Sequence, residues 1–146
     1  MSSTPDTAAT IARPSRDVPA SIWAGRILTG VVIAFLVPDA GLKLIAPEAA
    51  AANSPETGWS RDAGTMRLLG IILLIPTLLY AWPRTAVLGA ILATGYLGGA
   101  IATHLRIGSP LLTHTLFGVY LGLALWGGLW LRMPDLRALI PVRTKD

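Results

Sequence analysis

The chain has 146 residues, of which 53% are hydrophobic and 14% charged, with a net charge of +4 and no cysteine. A soluble domain carries nearer a quarter charged residues, and without cysteine the chain has no disulfide, thiolate metal site or thiol nucleophile. The basic residues flank apolar segments and do not alternate with aromatics on a polar surface, so the excess charge points to membrane topology and away from nucleic acid.

Residues 1–21 are rich in Ser, Thr, Ala and Pro without apolar periodicity, which predicts a disordered tail. They lack a basic start, a compact apolar run and a small-residue cleavage site, so the first apolar segment reads as an uncleaved anchor. Four apolar segments follow at about 22–46, 64–82, 84–105 and 111–131, making 22–132 a transmembrane domain. Sixteen uncharged residues separate Arg67 from Arg84. As a helix they span about 24 Å, and arginines at both ends snorkel to make up the difference from a hydrocarbon core of ~30 Å. The first segment carries Asp39 and Lys43 near its end. The second, third and fourth lack the polar stripe of a soluble amphipathic helix. The expected fold is all-α: an integral membrane four-helix bundle of antiparallel hairpins, with one long loop at 44–66 and a basic cytoplasmic tail at 133–146.

An even number of spans puts both termini on one side. Arg13, Arg16, Arg26, Arg84, Arg132, Arg137, Arg143 and Lys145 fall there, against Lys43, Arg61, Arg67 and Arg106 on the other. The excess predicts cytoplasmic termini. Trp23, Trp82 and Trp130 fall at that same boundary, as an interfacial aromatic belt does.

Gly95 and Gly99 form one G-x-x-x-G pair on the third helix, and Gly118 and Gly122 another on the fourth. Small residues let helix backbones approach in lipid, so these four are read as packing the third helix on the fourth. An interface between copies of the chain is the alternative use of the same motif, and a homo-oligomer stays open.

Alternating helix direction gathers Asp39, Lys43, Arg67, His104, Arg106 and His114 at the outer end. Each has a structural explanation as an ion pair, an interfacial anchor or an interhelical donor. Ionisable groups in a membrane are costly, however, and tend to be functional, so the six form the candidate ligand cluster. With three permanent cations and one carboxylate, they favour an anionic or carbonyl-bearing ligand, such as a quinone or lipid headgroup, over a cation. The histidines and Asp39 come from three helices without metal-ligand spacing, so no metal site is expected, and no catalytic motif is present.

The strings "GRILTG" (25–30), "DAGLKLIAP" (39–47), "PRTAVLGAILATGYLGGAIATHLRIGSP" (83–110) and "LWGGLWLRMPDLRALIP" (125–141) together resemble the DoxX-like family. The resemblance covers nearly all of 25–141. It implies a small four-helix protein of the bacterial inner membrane, in a family most of whose members have no assigned activity. The wider family takes its name from a subunit of an archaeal thiosulfate:quinone oxidoreductase, and some relatives act in membrane-linked oxidative-stress complexes. The implied role is therefore a non-catalytic subunit or partner of a membrane redox or stress-response complex, with quinone as the candidate cofactor. An assembly or stability factor without redox role is the alternative. A small transporter is the weakest reading, because the mid-membrane region is apolar and has no broken-helix pair. Many relatives carry a glutamate in helix two where this chain has Gly70-Ile71-Ile72-Leu73-Leu74, and often a cysteine where it has Pro76. Redox chemistry that used either group is missing here, which argues against an enzyme.

Overall fold

The structure is a computed structural model that describes residues 19–139. Residues 1–18 of the tail expected at 1–21, with Arg13 and Arg16, lie outside the described residues, as do 140–146 with Arg143 and Lys145. The described chain is all-α: α1 (Ala20–Ile45), α2 (Pro47–Asn53), α3 (Ala63–Ala81), α4 (Ala86–Arg106), a π-helical turn (Leu111–Thr115), α5 (Phe117–Arg132) and α6 (Pro134–Leu139). Four helical stretches are long and apolar enough to cross a membrane: α1, α3, α4 and the continuous run Leu111–Arg132. They make a square bundle in which α1 lies between α3 and α5, and α4 packs on those same two from the opposite corner.

Three local features differ from the sequence reading. Helix α1 begins at Ala20, inside the segment expected to be disordered. The loop 44–66 contains α2, started by Pro47 at its first position, where a proline's missing N–H has no intrahelical partner to lose. Its far end is capped by the Arg61 side chain, which donates to the carbonyls of Ala51 (2.6 Å) and Ser54 (2.7 Å). The segment after 132 turns into α6, where Arg137 donates back to the final carbonyls of α5 at Trp130 (2.8 Å) and Leu131 (3.1 Å).

Asp62 caps α3 by accepting the Thr65 backbone N–H at 2.9 Å, satisfying a donor that has no partner within the helix. Hydrogen bonds from the Ser60 hydroxyl, then from the Thr65 hydroxyl and N–H, hold the Asp62 carboxyl well below the usual aspartate range. Within the spans, polar side chains are satisfied locally, as a lipid environment requires. Thr29, Thr77, Thr94 and Thr103 each donate to the carbonyl four residues earlier, at 2.7–2.8 Å.

The buried core runs along the bundle, from Tyr80, Ala86 and Leu129 near the chain termini through Val32, Leu73, Ala90, Ala93 and Leu125 to Leu36, Ala40, Leu97 and Leu121 further out. Tyr80 is fully buried there. Its hydroxyl donates to the Leu125 carbonyl at 2.9 Å and lies 3.3 Å from the Thr29 hydroxyl, tying three helices together across the bundle's diagonal.

Gly95 and Gly99 do not pack the third helix on the fourth, contrary to expectation. A Cβ at Gly95 or Gly99 would meet nothing within 4 Å, so neither packs α4 on α5. Gly118 does face α4, where a Cβ would stand 2.8 Å from Ile101 Cγ1, and Gly122 faces Leu97 more loosely. The face of α4 turned to α5 carries Thr94, Leu97 and Ile101, and Trp126 donates from α5 to the Thr94 hydroxyl at 2.9 Å. Gly95 follows Thr94 by one residue, which is a rotation of about 100° around the helix. The closest backbone approaches lie elsewhere. A Cβ at Gly89 would stand 2.2 Å from Tyr80 N, and one at Gly25 would stand 2.8 Å from Gly128 O.

Candidate functional site

The two hairpin ends remote from the chain termini build a cavity of about 640 Å³ inside the outer half of the bundle. Its walls come from α1, α3, α4, the start of the last span and the loop after α2. Gly99, expected to pack helices, lines it instead and leaves room by having no side chain. Apolar wall comes from Leu36, Leu97 and Leu121, with Phe35, Tyr96, Phe117 and Trp59 as aromatic surface. Phe35 and Phe117 meet edge to face at 5.8 Å between ring centroids, the favoured geometry for an aromatic pair, and join α1 to α5.

Of the six expected cluster members, four line this cavity: Asp39, Lys43, His104 and His114. Asp39 and Lys43 are one turn apart on α1 and form an ion pair. The imidazoles of His104 and His114 lie 6.0 Å apart between centroids. A tight turn positions the first of them. Gly108 adopts φ +66°, which glycine tolerates best, and ends α4 with Gly108 N–H on Leu105 O and Ser109 N–H on His104 O. The same turn brings the Ser109 hydroxyl to 3.0 Å from His104 Nδ1. His114 Nδ1 is likewise 2.8 Å from the Thr113 hydroxyl. Both Nδ1 atoms are thus engaged by neighbouring hydroxyls, and both Nε2 atoms are left without a protein partner among the described residues.

On a regular α-helix His114, four residues before Gly118, would share its packed face. It is exposed, and Thr115 takes the buried position. The π-helical turn explains this: Thr115 N–H and Leu116 N–H bond five residues back, to Pro110 O and Leu111 O. That wider turn offsets the preceding side chains from the α-helical register of α5.

The remaining two members stand apart. Arg67 is exposed on α3 and does not line the cavity. Arg106 turns to the loop, where its guanidinium donates to the Thr57 carbonyl and covers Gly58, itself at φ +77°. Trp59 of the same loop reaches the Thr103 hydroxyl at 3.5 Å. Arg106 is therefore a strap for the loop that roofs the cavity. The cavity's permanent charges reduce to Lys43 and Asp39, which cancel. Among the described residues, no group of three or more His, Asp or Glu is placed to hold a metal ion.

Tyr96, Phe35, Phe117 and Trp59 are the wall residues that sequence reasoning missed. Within an apolar span, an aromatic facing a cavity has the same signature as one facing lipid, and Trp59 lies in a polar loop whose fold over the bundle the sequence does not show.

The altered second-helix stretch also has a place. Gly70 sits against α1, where a Cβ would come within 3.1 Å of Ala40 O and Lys43 Cβ, and Pro76 is buried. No curated protein and no solved structure matches the chain. A family model described as the DoxX-like family matches residues 27–128, which takes in every wall of the cavity and most of all four membrane-length helices. The chain belongs to the DoxX-like family.

Proposed function

We propose that this membrane protein is a non-catalytic subunit or partner of a membrane-associated redox complex that holds a quinone headgroup in its outer cavity. The observation that carries the reading is the pair of histidines, each Nε2 free of a protein partner among the described residues, on a cavity walled mostly by aromatic and aliphatic side chains. A ligand pocket is typically 300–1,000 Å³ and mostly apolar, with few polar groups that set orientation. With Asp39 neutralising Lys43, the site favours a neutral ligand with hydrogen-bond acceptors over an anion. Quinone carbonyls suit the imidazole N–H and ammonium donors, and the flat ring suits Tyr96, Phe117 and Trp59. A bound quinone would supply a two-electron acceptor; this chain's residues bind and orient it.

In this reading the termini face the cytoplasm and the cavity faces outward across a bacterial inner membrane, in keeping with the division of basic residues. Titrating a short-chain ubiquinone analogue into the detergent-purified protein, with tryptophan fluorescence as the signal, tests the binding. His104→Ala with His114→Ala, and separately Lys43→Met, should weaken binding about tenfold, the loss of one or two hydrogen bonds. Wild-type affinity in both variants, with unchanged helical circular dichroism, rejects the proposal. Recovery of a flavin or quinone oxidoreductase with the protein distinguishes a redox partner from an assembly factor.

A further inference from the structure

At the terminal end of the bundle, α5 lies so close to α1 that a Cβ on Gly25 would stand 2.8 Å from Arg132 N. Arg26 follows Gly25 on α1 and Arg132 is the last residue of α5, so this contact puts the two arginines at the same corner of the bundle. The Arg132 guanidinium lies 5.5 Å from the Tyr80 ring centroid, and one terminal nitrogen is 3.4 Å from the Tyr80 carbonyl. Its Nε is shielded from solvent and has no acceptor among the described residues. Arg26 lies over the Trp23 indole at 5.5 Å. Ion pairs among the described residues are Asp39–Lys43 and Glu56–Arg61, so no described carboxylate neutralises either arginine. Arg61 and Arg106, at the other end, both satisfy loop carbonyls. Arg26 and Arg132 also fall just outside the family match at 27–128.

Two cations at one corner repel, and a shielded N–H without an acceptor is unfavourable. An anion between them removes both costs. We propose that Arg26 and Arg132 together bind a net-negative phosphate group at the terminal end of the bundle, supplied by an anionic lipid headgroup. Guanidinium is the side chain best shaped for phosphate oxygens. Arg132 is held by Tyr80, Arg26 is exposed, and the Trp23 indole beneath it is of the kind that favours the headgroup level. This inference is independent of the quinone reading.

The test uses the full-length protein in a neutral detergent micelle, where no anionic surface attracts lipid generally. Phosphatidylglycerol labelled on its acyl chain is titrated and energy transfer from tryptophan is read, with labelled phosphatidylcholine as reference. Phosphatidylglycerol should bind roughly fivefold or more tightly, in line with the attraction of one or two basic residues. Arg132 braces Tyr80, so Arg26→Gln is the decisive variant, and Arg84→Gln removes the same charge from the same end as control. Loss of the preference in Arg26→Gln and its retention in Arg84→Gln support the site. Competition by millimolar inorganic phosphate identifies free phosphate as an occupant, and resistance to it identifies the lipid; either keeps the anion site. Equal affinity for the two lipids, or equal behaviour of the two variants, overturns it.

Discussion

Tyr80 does the work of several residues. One hydroxyl in the core joins α3 to the Leu125 carbonyl and the Thr29 hydroxyl, while its ring supports Arg132. Tyr80→Phe keeps the ring and removes the bond, so unfolding in mixed micelles should become easier by about 1 kcal/mol. An unchanged unfolding curve means that the bond contributes nothing net. Asp62 offers a second test, through pH. Its folded pKa lies below the ordinary value of 3.8, so its stabilising effect is complete above that value and declines as pH falls toward the lowered one. Wild-type protein should therefore lose more stability below pH 4 than Asp62→Asn, measured by thermal melts across acid pH. Equal acid sensitivity rejects the cap as its source. Neither residue was singled out from sequence: Tyr80 is one aromatic in an apolar run, and Asp62 lies in what read as a featureless loop.

The last three spans were legible because arginines bound long uncharged runs, and the first because only Asp39 and Lys43 near its end break its apolar run after Arg26. The rotation of each helix was not, since lipid-facing and core-facing positions are equally apolar. That is why Gly95 and Gly99 were assigned to a face that packs, when Gly25, Gly89 and Gly128 make the close approaches. Gly89→Ala forces a methyl to 2.2 Å from the Tyr80 backbone and should cost about 1–3 kcal/mol, the usual range for overpacking. Gly95→Ala should be neutral or slightly stabilising, because nothing lies within 4 Å and alanine favours helix. Thermal unfolding of the two variants side by side checks this, and equal effects would contradict the helix orientations. The candidate site was half legible on the same grounds. Chain direction placed Asp39, Lys43, His104 and His114 at one end, but the side chains of Arg67 and Arg106 point elsewhere, and a π-helical turn is not readable from "LLTHT".

The bundle divides lengthwise into two functions. The half nearer the termini is closed by Tyr80, Leu125 and alanines that let α3 and α4 meet; the outer half is opened by Gly99 and roofed by the loop that Arg106 holds. If the termini face the cytoplasm, a reporter that works only outside the cell should be silent at residue 146 and active when inserted at Pro55–Glu56. The reverse pattern would invert the bundle and place the cavity inward. A photoreactive quinone analogue tests that cavity directly. After illumination of the full-length protein in membranes and peptide mass spectrometry, the adduct should map to 53–59 and 96–117, and unlabelled quinone should suppress it. Labelling confined to the lipid-facing surface of α3, at Ile71, Ile75 and Leu78, would contradict the account.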